Sequence, residues 1–212
     1  MNEQDSVNLG PRRPDPASDA GQAQPDPGSM AGGRDNTSRI GLIARSASSR
    51  QSTPAELWNP PYCGDIGLAI ARDGTWSYRG SPIPRLPLVK LFASILRREE
   101  DGRHFLVTPV EKVDVTVADA PFIAVDMTVQ GSGIAQTIVL RTNLDDIVTV
   151  DASHPLRFDL ASDGAMKPYV RVRGRLDALL THSLTYDLAE LMVAGPDGRL
   201  GIWSGDAFFP AV

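Results

Sequence analysis

Short apolar segments separated by turn residues fill the stretch from residue 104 to residue 173, and they constrain the fold more than any other feature of this chain. Between residues 113 and 117, valines alternate with polar residues, as expected for a strand with one buried face. Gly131-Ser132-Gly133 has the composition of a hairpin loop. The pattern predicts mostly antiparallel strands at residues 105–108, 113–118, 122–129, 134–142, 147–150, 156–160 and 168–173.

A hairpin and a helix are predicted ahead of these strands. Arg72-Asp73-Gly74 separates two strand-like segments, and a glycine after aspartate supplies the positive φ of a tight turn. Apolar residues then recur at steps of three and four from Leu86 to Leu96. This spacing predicts an amphipathic helix that ends at Arg97-Arg98, where cations suit the negative helix end.

The C-terminal part is harder to assign from its pattern. Residues 176–180 predict a short helical turn, and residues 186–192 fit either a strand or a helix. Pro196-Asp197-Gly198 predicts a closing hairpin. Taken with the preceding segments, these elements predict an α+β fold with a mostly antiparallel sheet.

The N-terminal segment differs in composition from the rest of the chain. Residues 1–57 are rich in Pro, Ser, Asp, Gly and Gln and contain no aromatic residue. Such a segment cannot bury enough apolar surface to offset its ordering entropy, so we predict a disordered tail. Its apolar cluster, Ile40-Gly41-Leu42-Ile43, is expected to be part of a solvated coil, with docking on a protein partner or on the body of the protein as the alternatives. Met30 is an alternative start codon. Removing the residues before Leu57 is expected to change stability by no more than roughly 1 kcal/mol.

Charge and cysteine content disfavour several classes of function. The 212 residues include 21 Lys and Arg against 26 Asp and Glu, a formal net charge of −5. That charge disfavours non-specific binding to nucleic acids or anionic membranes. The single cysteine, Cys63, allows no intramolecular disulfide and fits a reducing compartment. No apolar run approaches the roughly 20 residues of a membrane helix, so we expect a cytoplasmic protein.

Motifs for catalysis or cofactor binding are not recognised in the sequence. His104, His154 and His182 lack metal-ligand spacing, although a zinc site built from His104, His154 and a carboxylate is a weaker alternative. The serines lack the Gly-x-Ser-x-Gly elbow, and the glycine pairs lack the fingerprint of a phosphate-binding loop. We therefore predict no metal, no cofactor and no enzymatic activity.

Arginines at the edges of predicted elements are the strongest binding candidates. Arg79 and Arg85 flank the Gly80-Ser81-Pro82-Ile83-Pro84 turn, while Arg171 and Arg173 lie two residues apart on one predicted strand and so share a face. A guanidinium group is a planar fork that binds phosphate or carboxylate with two hydrogen bonds. Arg141 and Arg157 lie in comparable positions. The alternative for each is an ion pair with one of the many aspartates.

Several compact blocks of residues also carry a resemblance. They include Asp73-Gly74-Thr75-Trp76, Gly80-Ser81-Pro82-Ile83, Thr108-Pro109-Val110-Glu111-Lys112, Asp119-Ala120-Pro121-Phe122, His154-Pro155-Leu156-Arg157 and Gly201-Ile202-Trp203-Ser204-Gly205. In these blocks the chain resembles a family of small bacterial proteins known as domain of unknown function 1285. The resemblance extends over about residues 60–209.

The resemblance implies a two-lobed protein with repeated motifs, a domain duplication in which the second lobe is faintly like a pleckstrin-homology barrel. It divides the body into an N-terminal α+β lobe at residues 58–120 and a C-terminal β-rich lobe at residues 121–212. It further implies a binding or sensing protein for a nucleotide-like phosphorylated ligand between the lobes, with a role in signal transduction. No catalytic residue is established for the family, so none is transferred.

We expect the ligand to lie in one cleft, with arginines on its phosphate and an aromatic ring facing its base. The predicted site residues are Trp76, Tyr78, Arg79, Arg85, Thr108, Lys112 and Arg173. One alternative is a hydrolase or transferase that acts on such a ligand through Glu111, Asp119 or His154. A second alternative is a protein-binding scaffold.

Overall fold

The computed structural model describes residues 35–48 and 57–211 of the chain. These ranges contain the α-helices α1 (Asp35–Ser48), α2 (Leu86–Ser94) and α3 (His182–Glu190). Their strands are β1 (Tyr62–Ile70), β2 (Trp76–Tyr78), β3 (Ser81–Pro82), β4 (Leu96–Arg98), β5 (His104–Val107), β6 (Lys112–Val117), β7 (Phe122–Gln130), β8 (Thr137–Thr142), β9 (Ile147–Thr149), β10 (Leu156–Leu160), β11 (Met166–Arg173), β12 (Leu176–Leu180), β13 (Val193–Ala194), β14 (Leu200–Ser204) and β15 (Ala207–Pro210).

The N-terminal lobe is built on a six-stranded sheet in the order β3-β2-β1-β6-β5-β4. Its central strands β1 and β6 are parallel, and the other neighbours are antiparallel. Alternate residues of β1, namely Ile66, Leu68 and Ile70, are buried, as the two-residue period of a strand requires. Gly74 has a φ of +82° in the turn between β1 and β2. The predicted hairpin is therefore confirmed.

The C-terminal lobe repeats this arrangement with its own strands. Its six-stranded sheet has the order β10-β11-β12-β7-β8-β9, again with one parallel pair, β7 and β12, at the centre. Numbered from the first strand of each lobe, both sheets read 3-2-1-6-5-4. The chain thus forms two sheet-rich lobes with few helices.

A three-stranded sheet, β13-β14-β15, comes after the second six-stranded sheet in the sequence. Hydrogen bonds of Ser204 and Gln136 connect the two sheets. The fully buried Ser204 hydroxyl accepts a bond from Ile138 N at 2.9 Å and donates one to Val150 O at 2.7 Å. The Gln136 side chain donates to Trp203 O at 2.8 Å. These bonds join the C-terminal sheet to the backbone around β8 and β9.

The predicted N-terminal disordered tail includes a segment that is helical in the structure. α1 covers Asp35–Ser48, and its residues Ile43 and Ala47 are 0% and 3% exposed within the apolar core. Arg39 donates a hydrogen bond to Cys63 O in β1. Four apolar residues at helical spacing, Ile40, Ile43, Ala44 and Ala47, explain the difference, because together they give this polar segment one buried face. Residues 1–34 and 49–56 of the predicted tail lie outside the described residues.

The burial of α1 changes the expected effect of altering this segment. Ile43→Ala should destabilise the protein by about 2 kcal/mol or more, since it removes a fully buried side chain. Leu42→Ala is the matched control on the same helix, because Leu42 is 53% exposed and should cost little. Urea denaturation of the full-length variants measures both effects. Equal, near-neutral values for the two variants would contradict the packing of α1.

The predicted amphipathic helix is confirmed as α2, but its predicted end at Arg97-Arg98 and the predicted helical turn at residues 176–180 are wrong, both for tertiary reasons. The helix α2 ends at Ser94, and residues Leu96–Arg98 form β4, which pairs with β5. The segment 176–180 forms β12 rather than a helical turn, because it lies between β11 and β7. Burial within a sheet there outweighs the helix propensity of leucine and alanine. The ambiguous segment 186–192 is helical in α3 up to Glu190, and Thr181 caps that helix by accepting a bond from Leu184 N.

Candidate functional site

Arg79 and Arg85, the first predicted site residues, are exposed at opposite ends of the predicted turn. Arg79 has a φ of +50°, its N–H bonds to Gly67 O at 2.6 Å, and its guanidinium lies 5.6 Å from the ring centre of Tyr78. Arg85 is the N-cap residue of α2. Both side chains are accessible from solvent in the N-terminal lobe.

Trp76 is placed differently from the sequence-based expectation. Its side chain is 2% exposed and packs against Phe92 of α2, with ring centres 6.3 Å apart. It therefore cannot offer a face to a nucleobase. The reason lies in the register of β2, which turns Trp76 inward beside Ile70, its partner in β1.

Thr108 and Lys112 have local structural contacts. Thr108 is fully buried, and its hydroxyl oxygen accepts bonds from Val110 N at 3.3 Å and Glu111 N at 3.1 Å, which shapes the turn before β6. Lys112 Nζ lies 2.9 Å from Glu99 Oε1 and 4.7 Å from the ring centre of Phe105.

Arg173 bridges the two lobes. One guanidinium nitrogen donates to Ala93 O of α2 at 2.7 Å and another lies 3.1 Å from Asp146 Oδ1. The group also lies 4.9 Å from the ring centre of Phe122. A register shift in β11 after Arg171 separates it from Arg173, and Arg171 bonds Asp177 instead. These contacts place the predicted residues in separate local settings.

A different set of charged residues meets between the lobes. One cavity of about 200 Å³ is lined from the N-terminal lobe and its junction by Arg98, His104, Asp119, Ala120 and Pro121, and from the C-terminal lobe by Arg157, Asp159, Tyr169, Arg175 and Asp177. A second cavity of about 520 Å³ shares Arg98 and Arg175 and extends along residues 97–101 and 174–176. We call these two cavities together the inter-lobe cleft.

Asp177 is the central carboxylate of the cleft, and its side chain is only 10% exposed. Arg171 Nε donates to it at 2.6 Å, Arg157 Nη2 lies at 3.5 Å, and Arg98 Nη1 lies at 4.0 Å. Three guanidinium groups therefore share one carboxylate. The nearest of them, Arg171, already supplies a close hydrogen-bonded partner for a buried charge.

Asp119 closes one side of the cleft, with a side chain that is 9% exposed. Its carboxylate accepts hydrogen bonds from Lys167 Nζ and from Tyr169 OH, and Arg72 Nε lies 3.7 Å away. Burial alone would raise the pKa of Asp119, but these donors and the two cations bring the pKa below its ordinary value. Asp119 is therefore a fixed carboxylate that ties the lobe junction to β11.

His104 of β5 also faces the cleft. Burial, assisted by the positive charge of Arg98, lowers the pKa of His104 to about 4, against a smaller opposing effect of Asp177. The imidazole is therefore neutral at physiological pH. It adds hydrogen-bonding capacity to the cleft without adding charge.

Two arginines of the cleft are held less firmly than the others. The closest carboxylate to Arg98 is Asp177 at 4.0 Å, and Arg98 Nε makes a long bond of 3.4 Å to Gly102 O. Arg175 lies 2.7 Å from Glu100, whose side chain is 85% exposed. A pair with so exposed a partner contributes little stability. Both forks are therefore free to reorganise around an anion.

The sequence pattern predicts only part of this cleft. Arg157 is one of the arginines at the edges of predicted elements, and Asp119 is a candidate residue of the enzyme alternative. The helical spacing places Arg98 at the end of a helix, whereas it is the last residue of β4. A sequence signal for Arg175 is present in the run Arg171-Val172-Arg173-Gly174-Arg175, where a glycine marks a turn between strands.

Within residues 35–48 and 57–211, no helix is long and apolar enough to cross a membrane. The same residues contain no group of three or more His, Cys, Asp or Glu side chains arranged to hold a metal ion.

Comparisons with known proteins identify the family. Residues 53–120 match the model described as domain of unknown function (DUF1285), N-terminal domain, and residues 121–211 match that of protein of unknown function (DUF1285), C-terminal domain. Comparison with curated proteins gave no match.

Two solved structures were also compared. The crystal structure of a DUF1285 family protein from Silicibacter pomeroyi DSS-3 is similar with 45% identity and a TM-score of 0.76, over 82% of this chain and 94% of that one. A DUF1285 family protein from Shewanella baltica OS155 has 29% identity and a TM-score of 0.46, over 59% of this chain and 91% of that one. With both family models matched over consecutive halves of the body, this chain belongs to the DUF1285 family.

Proposed function

We propose that the protein binds a small phosphorylated, nucleotide-like molecule in the inter-lobe cleft and acts as a ligand sensor in signalling in the cytoplasm. The observation that carries this proposal is the convergence of Arg98, Arg157 and Arg175 on one concave opening between two lobes. Arginine forks at a partly desolvated site are suited to phosphate recognition. Clefts between lobes are common places for small ligands.

The distribution of partners indicates where an anionic group would bind. Asp119 has Lys167 and Tyr169 as close donors, Asp159 has Arg157, and Asp177 has Arg171. The carboxylates of the smaller cavity are thus matched before Arg98 and Arg175 are counted, whereas Glu100, on the wall of the larger cavity, is the partner of Arg175 and would be displaced by an anion. A phosphate that binds these two arginines would approach from the larger cavity, where Arg98 and Arg175 both line the wall.

Protonation behaviour favours binding over acid–base catalysis in this cleft. His104 releases its proton at about pH 4, and the pKa of Asp119 lies below its ordinary value. Neither group changes its protonation state near neutral pH, where a general acid or base is most effective. Incubation of the purified protein with nucleoside mono-, di- and triphosphates and cyclic nucleotides, followed by chromatography of the products, tests the hydrolase or transferase alternative.

The common strand order of the lobes supports a second part of the proposal, namely that the body arose by domain duplication. Both sheets read 3-2-1-6-5-4 with a parallel central pair. The distant likeness of the second lobe to a pleckstrin-homology barrel belongs to the same proposal.

A thermal-shift screen with inorganic phosphate, nucleoside mono-, di- and triphosphates and cyclic nucleotides tests the binding proposal. A ligand at a hundred times its Kd should stabilise the folded state by about 2.7 kcal/mol. Arg175→Ala should weaken binding about 10-fold or more, since a hydrogen bond to a charged group contributes about 1.5–3 kcal/mol. Arg98→Ala should have a similar effect. Arg85→Ala serves as the matched control, because Arg85 does not line the described cleft.

The outcomes of the screen distinguish two positions for the binding site, and they distinguish small-molecule binding from a scaffold function. Loss of binding in Arg85→Ala with retention in Arg175→Ala would return the site to the turn between Arg79 and Arg85. A complete absence of stabilisation by the panel would contradict small-molecule binding of this class and favour the protein-binding scaffold.

A further inference from the structure

A third cavity, larger than either cavity of the inter-lobe cleft, is lined mainly by the C-terminal lobe. Its volume is about 740 Å³, within the range of small-molecule sites. Three features border it: the centre of the second six-stranded sheet, the hairpin between β10 and β11, and the first turn of α3. The turn between β1 and β2, with Arg72 and Asp73, closes one end. We call this cavity the sheet pocket.

The floor of the sheet pocket is apolar. Ile123 of β7 and Leu179 of β12 are neighbours in the parallel register, and both are half-buried rather than covered by the core. Met166 and Pro168 of β11 extend this surface. An apolar ligand that covers partly exposed apolar side chains binds with a favourable free energy, which is roughly proportional to the apolar area removed from water.

A β-bulge adds Val125 to the same floor. The pairing of β7 with β8 runs from Ala124–Thr142 directly to Asp126–Arg141, so Val125 has no partner residue across the ladder. Val125 is 39% exposed and lines the pocket. Bulges commonly redirect a side chain next to a functional site.

The acidic side chains at the rim are engaged in turns of their own. Asp73 Oδ1 accepts a bond from Thr75 N at 2.9 Å, and Asp163 Oδ1 accepts one from Ala165 N at 2.9 Å. These bonds fix both carboxylates to the backbone of the loops that carry them.

The rim also carries two cations, Arg72 and Lys167, and both contact the same carboxylate, Asp119. Two positive charges therefore share one negative charge. Lys167 is the closer partner, whereas Arg72 lies 3.7 Å away and its side chain is 77% exposed. Arg72 can turn toward an anion in the pocket while Asp119 keeps its bonds to Lys167 and Tyr169.

We propose that the sheet pocket binds a small amphipathic carboxylate, with its apolar body over Ile123, Val125 and Leu179 and its anionic end at Arg72. The volume limits the ligand to a molecule of drug-like or medium-chain size. This site is separate from the inter-lobe cleft, so the proposal stands whether or not the cleft binds a nucleotide.

Titration calorimetry with decanoate, below its micellar concentration, tests the proposal on the full-length protein. Saturable binding of one decanoate per chain is expected. Val125→Trp should fill the pocket and weaken binding at least 10-fold. Ile147→Trp is the matched control, because Ile147 is a 64% exposed apolar residue of β9 outside the pocket, and its substitution should leave binding unchanged. Circular dichroism of each variant confirms that it is folded.

The anionic end is tested by a second comparison. Arg72→Ala should weaken decanoate binding about two- to five-fold, as expected for an exposed ion pair, and should leave the binding of neutral decanol unchanged. The absence of saturable decanoate binding would overturn the proposal, as would equal binding by Val125→Trp and wild type. If Arg72→Ala lost affinity for decanoate and for decanol equally, the assignment of the ligand's carboxylate to Arg72 would be overturned. Loss of decanoate binding in Arg175→Ala but not in Val125→Trp would move the carboxylate to the inter-lobe cleft.

Discussion

Replacement of Gly74 by valine should destabilise the protein by about 2–6 kcal/mol. Two costs add at this position. The φ of +82° is strained for a β-branched residue, which costs about 1–3 kcal/mol. A Cβ atom would also lie 2.6 Å from Asn143 Nδ2 and 3.1 Å from Ile123 Cγ1, and overpacking of this kind costs about 1–3 kcal/mol more.

The second cost arises because the turn between β1 and β2 touches the other lobe. Asn143 cannot move away freely, since its Oδ1 accepts a hydrogen bond from Ile123 N at 3.1 Å. The glycine thus serves the local turn and the lobe contact together.

Gly80→Val separates these two costs. Gly80 has a φ of +79°, and a Cβ built on it would meet no atom within 4 Å, so this variant carries the backbone strain alone. Guanidinium denaturation of both variants should show the larger loss for Gly74→Val. Equal losses would contradict the close approach of Asn143 and Ile123 to this turn.

Trp76→Ala should cost about 3–5 kcal/mol, the range for removing a large buried aromatic side chain. Trp76 is 2% exposed and packs against Phe92, so the substitution leaves a cavity between β2 and α2. Trp76→Phe should cost much less, because the ring volume is largely kept. The phenylalanine also removes an indole N–H that has no hydrogen-bond partner in the described part of the chain.

A further variant, Trp76→Leu, tests the sequence-based role of Trp76 in ligand stacking, because leucine keeps an apolar side chain at this buried position but has no aromatic face. Trp76→Leu should retain the wild-type affinity for any nucleotide that the thermal-shift screen identifies. A selective loss of nucleotide affinity in this variant, with stability preserved, would show that the stacking hypothesis was right. A near-neutral Trp76→Ala in denaturation would contradict its burial.

The sequence predicts correctly those elements whose conformation is determined by residues close together in the chain. The hairpin at Gly74 follows from an Asp-Gly pair, and β6 follows from valines at alternate positions. By contrast, Leu96 continues the apolar spacing of α2 and yet belongs to β4, because pairing with Leu106 of β5 determines its conformation. The parallel pairs at the sheet centres leave no local trace, since their partners are more than 40 residues apart in the sequence.

The inter-lobe cleft was predictable in kind but not in its residues. Arginine forks were the expected chemistry, and the space between the lobes was the expected place. The cleft instead combines Arg98 at the end of β4 with Arg157 in β10 and Arg175 between β11 and β12. Only the docking of one sheet against the other brings these positions together, and no spacing along the chain encodes that docking.

The strand order of each lobe has a consequence for how the chain reaches its native state. In each sheet, the strand that comes first along the chain pairs with the strand that comes last. β1 therefore cannot pair with β6, nor β7 with β12, until the later strand has been synthesised. During synthesis, the first sheet cannot close until Val117 has emerged from the ribosome, and the second cannot close until Leu180 has emerged. Until then, β1 presents an unpaired and largely apolar edge. Such non-local closure slows folding, because the loop entropy is lost before the pairing is gained. The β1–β2 hairpin does not cover that edge in the meantime, since β2 pairs with the opposite side of β1.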